Sequence, residues 1–486
     1  MSKQRKYKDV REPQKPTIYQ TIGGISSYPR PAEVDPEQLL DKRPLLGFLP
    51  PPDEEAPRQP TRLPLRPPPI GWVSTYHAAP AAYPRLMREQ HGNLSHGSYP
   101  WGPVPPGPNE TAAERSERIE QDAIVAVRGR YDAKVHCRPA KAVDLERWRR
   151  LKPVGGYTLV FAHAGGFQKE HWHEIVREVI QGHGPGRAAF GGGSLSRPAD
   201  GEIDEVWMFD DLVHNESVTL NKGRLGPYQS WEDTGRDALN LVAHVIAAVP
   251  IGADAPWDLP WVANPAPRQH LIGAGHSFGA AGLLNAAHER PELFEALFVV
   301  DPASIPHFMA REAGYDDPIS TSPLTPIIMS RRAVWPSFAE ARRAMRATPF
   351  FGRFSEPQFE IYLRRGLILV DPSRIDGPVT LATPVWAEAA TFTEIDAGAR
   401  TYDKLPELKV PIGWVMAGDS GTTRGDDYTQ HMVWRAPRSR NERHLKSGHL
   451  VTQEEPHLVA ESLTRFLNTL ASGEWDIQAP AASARL

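Results

Sequence analysis

Residues 270–287 read His-Leu-Ile-Gly-Ala-Gly-His-Ser-Phe-Gly-Ala-Ala-Gly-Leu-Leu-Asn-Ala-Ala. Inside this stretch, Gly275-His276-Ser277-Phe278-Gly279 is a G-x-S-x-G, with an apolar strand before it and a helix of small residues after it. The pattern has a mechanical reason. The serine sits on a strained strand-to-helix turn, and glycines two before and two after it let the backbones approach. Ser277 is therefore the candidate nucleophile, and the Phe278 N–H a candidate oxyanion donor. A dinucleotide loop beginning at Gly273-Ala274-Gly275 would place its third glycine one position late, at Gly279, and leave Ser277 without a role.

Outward from the motif, strand and helix patterns alternate. Tyr157–Ala162 is a continuous apolar run of the kind expected of a doubly covered central strand. Glu205–Phe209 and Ala296–Val300 read as further strands, and residues 232–249 as an amphipathic helix with Ala238, Leu241, Val242 and Val245 on one face. Repeated β–turn–α units predict a mostly parallel sheet with helices on both faces. The alternation breaks after Asp301, and the next core strand is Val410–Met416. A structureless loop of that length is improbable in a compact domain, so residues 303–408 are predicted to form a helical cap. A short strand near Glu442–Leu445, the loop Lys446-Ser447-Gly448-His449 and a helix over 456–470 close the pattern.

The organisation expected is a proline-rich extension over 1–110, a first core part over 111–302, the cap, a second core part over 409–471 and a tail over 472–486. Of the 49 prolines, 22 lie in the first 108 residues. Trp72, Tyr76, Tyr83, Tyr99 and Trp101 argue that part of the extension packs on the body. Ile124–Val127 and Tyr131–His136 suggest an opening hairpin. A net charge of −4 argues against a polybasic nucleic-acid or membrane-surface binder. Cys137, the single cysteine, excludes a disulfide framework, a CxxC pair and a cysteine zinc site. No apolar run is long enough for a transmembrane helix, and residues 1–16 lack a secretory apolar segment. Ala484-Arg485-Leu486 has the small–basic–leucine chemistry of a peroxisomal address, which predicts an import receptor as partner and the peroxisome, with the cytoplasm as alternative.

A nucleophilic serine needs oxyanion donors, a base and an acid that orients the base. The glycine turn His163-Ala164-Gly165-Gly166-Phe167 follows a central strand, and Gly165 is the favoured donor with Gly166 the alternate. In the order serine, acid, histidine, the base must follow the last core strands. His449 fits; His444 and His431 read as surface or packing residues. Asp301 and Asp419 each end a strand and are the candidate acids, with Asp426 and Asp427 behind them.

Five blocks in order carry a resemblance: Phe161–Trp172, His214–Asn221, Trp231–Asp237, Gly275–Gly279 and Gly448–Pro456. Over roughly residues 120 to 470 the chain resembles an α/β-hydrolase. Specifically, it is similar to the fungal peroxisomal hydrolases, a group that includes yeast peroxisomal lipase and the hydrolases of host-selective toxin biosynthesis. The resemblance implies an α/β-hydrolase fold, a Ser277–His449–acid triad and a peroxisomal signal at the end of the chain. In the commoner hydrolase layout the acid lies a few residues past a glycine at the later strand; here Gly421 falls at that position, which favours Asp301 over Asp419. The family would also place a glycine at Ala164. His214 and Asn221 have no deducible chemical role and are expected to fix loops, and Lys169-Glu170 is expected to cap a helix. The expected activity is cleavage of an ester or thioester of a small apolar acyl substrate, needing neither metal nor organic cofactor. An acyltransferase using the same triad and a catalytically silent binding fold are the alternatives.

Overall fold

A computed structural model describes residues 62–82, 143–182, 201–221, 229–304, 324–392, 396–420 and 426–477. It also describes the short strands at 20–22, 25–27, 85–87 and 134–136 and residues 45, 50, 51, 111, 114 and 225. Eight strands build the body: β1 (Trp72–Ala79), β2 (Val143–Arg150), β3 (Tyr157–Ala162), β4 (Ile203–Phe209), β5 (Leu271–His276), β6 (Ala296–Val300), β7 (Ile412–Ala417) and β8 (Ser439–His444). Their order across the sheet is β1-β2-β4-β3-β5-β6-β7-β8, and a hairpin of Gln20–Ile22 and Ile25–Ser27 joins the β8 edge. From β4 to β8 every pair is parallel. The pairs β1–β2 and β2–β4 are antiparallel.

The apolar runs explain this arrangement. All six residues of β3 are buried, and successive side chains point to opposite faces of the sheet. Val160 and Ala162 enter a core with Ala280, Leu283 and Leu284 of the helix Ser277–Glu289 and with Ala238 and Leu239 of the helix Trp231–Asn240. Leu159 and Phe161 enter the other, against the helices His173–Gly182 and Pro456–Ala471. The sheet is covered on both faces, as its composition predicts.

Three features differ from the sequence expectation. Residues 72–79 do more than pack on the body, as Trp72 and Tyr76 suggest: β1 is an edge strand of the main sheet and pairs along its full length with β2. Its proline-rich flanks hide a strand that is only half apolar. Of the expected opening hairpin, Ile124–Val127 lies outside the described residues, and Lys134–His136 pairs with Arg85–Met87. The insert after β6 is not purely helical. Beside its helices it holds a three-stranded antiparallel sheet of Val334–Trp335, Leu367–Leu369 and Val379–Leu381, strands too short to show periodicity. The helix Asp396–Lys404 near its end docks on the body, with Asn285 Nδ2 donating to Thr401 Oγ1 at 2.8 Å and Lys404 Nζ donating to Asn285 Oδ1 at 2.9 Å.

Candidate active site

Ser277 stands immediately after β5, with φ at +53°. The flanking glycines are a packing necessity. A Cβ at Gly279 would lie 2.4 Å from the His163 carbonyl oxygen, and one at Gly275 would lie 2.7 Å from Ala280 Cα. Both approaches exclude any side chain, so the helix start is pressed against the end of β3 and Ser277 is held at the carboxyl end of the sheet.

Two other residues meet it there. Asp301 follows β6, also in left-handed backbone at φ +37°, and His449 lies in the loop after β8. His449 Nε2 is 2.9 Å from Ser277 Oγ, and His449 Nδ1 is 2.6 Å from Asp301 Oδ2. Asp301 is fully buried while the His449 ring is 24% exposed, so a reactant from solvent reaches the histidine and serine, not the acid. The Asp301 carboxylate also accepts from the Ser420 hydroxyl at 2.6 Å and the Ala417 N–H at 3.2 Å. Asp419 is not brought to the histidine; it is exposed, and its backbone N–H donates to Ser447 O at 3.0 Å.

The residue between the glycine and the serine has a partner that its motif position does not reveal. Burial and the neighbouring His449 hold His276 well below the usual histidine range, so its ring is neutral. Its Nε2–H donates to the His449 carbonyl at 2.8 Å, and its Nδ1 lies 2.8 Å from the Thr452 hydroxyl oxygen. The loop carrying His449 is thereby tied to the turn carrying Ser277.

Phe278 is the second residue of its helix, so its N–H has no acceptor within that helix. The glycine turn sits beside it, and its two glycines are not equivalent. The Gly166 N–H donates to His214 Nε2 at 2.8 Å, so it is committed inside the protein and not offered to a reactant. Gly165 is the remaining glycine donor of the turn. The insert covers both: the Phe392 ring comes within 3.1 Å of where a Gly165 Cβ would stand, and Glu388 Oε1 within 2.7 Å of that of Gly166. Phe167 packs with Phe354 and Tyr362 of the insert at ring distances of 5.9 and 6.2 Å. Ala484, Arg485 and Leu486 lie outside the described residues.

Lys169 and Glu170 do not act as a helix cap. Both are fully buried, with Lys169 Nζ 2.7 Å from Asp144, 2.8 Å from Asp210 and 3.0 Å from Glu170. Burial alone would lower the ammonium, but the carboxylates outweigh it and hold Lys169 well above the usual lysine range. Asp144, Asp210 and Glu216 bring carboxylate oxygens within 4.8 Å of one another, a spacing that could hold a metal ion; here Lys169 contacts all three, and Arg62 pairs with Asp144 and Glu216. Arg365 of the insert reaches Glu170 at 3.1 Å and the Tyr76 hydroxyl of β1 at 2.8 Å, so this cluster fastens insert, edge strand and body together. Lys169→Met would leave Asp210 buried without its cation and is expected to cost about 3–5 kcal/mol in urea unfolding; an unchanged midpoint would contradict that role.

Comparison with known proteins agrees with this architecture. The model of the Alpha/beta hydrolase family matches residues 159–462. Type I acyl-CoA thioesterase mpaH of Penicillium brevicompactum is 27% identical over 274 residues, covering 53% of this chain and 54% of that protein. Peroxisomal membrane protein LPX1 of Saccharomyces cerevisiae is 26% identical over 160 residues, covering 33% and 34%. Abhydrolase domain-containing protein AFT2-1 of Alternaria alternata is 28% identical over 128 residues, covering 26% and 45%. The matched region spans about half or less of these curated relatives. The solved structure of the peroxisomal alpha-beta-hydrolase Lpx1 from S. cerevisiae superimposes with a TM-score of 0.58 over 86% of this chain and 93% of that one, at 16% identity, which establishes a common fold. Among the described residues no helix is long and apolar enough to cross a membrane.

Proposed function

The chain belongs to the alpha/beta hydrolase family, and from that premise we propose that it is a serine hydrolase cleaving an ester or thioester through an acyl-enzyme. The observation that carries this is the His449 ring, held between Ser277 Oγ at 2.9 Å and Asp301 Oδ2 at 2.6 Å.

Ser277 Oγ attacks the acyl carbonyl carbon while His449 Nε2 takes the hydroxyl proton. Asp301 keeps the Nδ1 proton of the ring on its own side, so Nε2 is bare and ready to accept. The oxyanion is met by the N–H groups of Phe278 and Gly165, each contributing about 3–4 kcal/mol. The carbonyl bond to the leaving alcohol or thiol then breaks, and His449 returns the proton to it. A water, deprotonated by the same nitrogen, attacks the acyl-serine, releases the acid and restores Ser277.

The thioester half of the proposal is supported by the similarity to a protein described as an acyl-CoA thioesterase. An apolar acyl group is supported by Phe392 and Phe167 around the turn. A turnover panel of p-nitrophenyl esters, triglycerides and acyl-CoAs of increasing chain length tests it: saturable release of acid from one of these classes is expected, and turnover of none of them would sink it.

A peroxisomal location is proposed alongside, supported by the peroxisomal yeast relative. Deleting Ala484-Arg485-Leu486 from a chain labelled at its N-terminus is expected to move fluorescence from peroxisomes to the cytosol. Unchanged punctate fluorescence would remove the tripeptide from that role.

A further inference from the structure

The block His214–Asn221 belongs to neither the triad nor the elbow, yet His214 is completely buried and its ring meets the glycine turn. We propose that His214, oriented by Asp211 and assisted by His163, is a positioning residue that aims the Gly165 N–H at the oxyanion. The proposal rests on the serine-hydrolase reading above and deepens it.

The geometry fixes the protonation of both rings. A backbone N–H can only donate, so His214 Nε2, which receives the Gly166 N–H, is bare. The His214 proton is then on Nδ1, facing Asp211 Oδ1 at 3.3 Å. Asp211 is itself held by the Thr234 hydroxyl at 2.8 Å and the Val213 N–H at 3.1 Å. Likewise the Asp211 N–H donates to His163 Nε2 at 2.9 Å, so His163 carries its proton on Nδ1 and donates it to the Ala164 carbonyl at 2.8 Å. The two rings meet edge to face at 4.8 Å. Burial and the adjacent His214 keep His163 neutral, down at about 3.

The consequence falls on the peptide between the two anchors. In a planar trans peptide the N–H points opposite to the preceding C=O. The Ala164 carbonyl is held by His163 and by the Phe167 N–H at 3.1 Å, so the Gly165 N–H is forced the other way. His214 pins the next peptide through Gly166, and the turn cannot rotate about Gly165. A glycine pair is otherwise among the most mobile dipeptides, and a donor worth several kcal/mol in the transition state must be held still beforehand. No new chemistry is needed: the histidines hold the turn through its backbone groups.

The test compares His214→Ala, His214→Gln and His214→Asn with the native enzyme on p-nitrophenyl butyrate, following kcat, KM and thermal midpoint. It also follows inhibition by an alkyl trifluoromethyl ketone, which forms an oxyanion on Ser277, against a plain alkyl amide, which does not. Glutamine can place its amide oxygen near the position of Nε2; asparagine reaches only the position of Nδ1. His214→Ala is expected to lower kcat and weaken the trifluoromethyl ketone by the same factor, about ten- to a hundredfold. KM and amide binding should move by less than about twofold, and His214→Gln should recover most of the loss while His214→Asn does not. If the alanine variant fails to fold, the glutamine–asparagine contrast decides alone. Wild-type kcat and ketone affinity in folded His214→Asn would overturn the proposal, as would equal losses in the glutamine and asparagine variants that track only the thermal midpoint. Ser277→Ala is run beside them: if it turns over undiminished, the hydrolase reading falls first, whereas an inactive Ser277→Ala with fully active His214 variants removes the positioning role only.

Discussion

Ser277→Ala is expected to lower kcat for the best ester or thioester of the panel by about 10⁵- to 10⁶-fold while the folded structure persists. The size follows from the concerted use of the serine and histidine. Without Oγ the carbonyl has no nucleophile within the site, and His449 has nothing to deprotonate but water held less favourably. What remains is binding and the oxyanion donors, worth about 10³- to 10⁴-fold over solution in comparable enzymes. The fold should survive because Oγ engages the partly exposed His449 ring, so its removal strands no deeply buried group. His449→Ala should fall by a similar factor, and the double variant little further, since residues that act as a unit are not additive. A fluorophosphonate probe should label the native chain once, at Ser277, and the alanine variant not at all. Undiminished turnover by Ser277→Ala, or labelling elsewhere, would refute the assignment.

What was legible beforehand follows from how local each signal is. The elbow lies within five residues, and its glycines are required by contacts that the strand and helix around it already imply. The parallel sheet was legible because both its faces are covered, which writes Tyr157–Ala162 and Ala296–Val300 as unbroken apolar runs. β1 was hidden because Trp72–Ala79 mixes Ser, Thr and His with its apolar residues and lies among prolines. Lys169-Glu170 does open a helical stretch, the turn Lys169–Trp172, and a charged pair there reads as capping because charge at a helix end is its ordinary reason. Its true setting depends on Asp144, Asp210 and Arg365, which no local window contains. His214 was opaque for a similar cause. Its partners are the Gly166 N–H and Asp211, one of them a backbone group 48 positions away, and backbone groups leave no mark on a sequence.

The acid is where the sequence left two residues open, and the second large effect is expected there. Asp301→Asn should lower kcat by about 10⁴-fold, and Asp419→Asn by no more than about twofold, the range of an exposed substitution. In the asparagine variant at 301, the amide nitrogen can turn its N–H toward His449 Nδ1, which must then be bare. The ring proton is driven to Nε2, facing Ser277, and the ring can no longer accept the serine proton. The Ala417 N–H still finds its acceptor in the amide oxygen, while the Ser420 oxygen, which faces the same Oδ2 position as His449, can accept from the second amide N–H, so the loss should appear in kcat with little change in the thermal midpoint. An acid after β6 rather than after β7 is compatible with the geometry of the strands. These strands are parallel neighbours, so their ends reach the same edge of the histidine, and the β7 loop contributes Ser420 to hold the carboxylate. Gly421 then needs no acidic side chain. A 10⁴-fold loss in Asp419→Asn with Asp301→Asn near native rate would move the acid to the β7 loop and leave the 2.6 Å contact between Asp301 and His449 without a catalytic part.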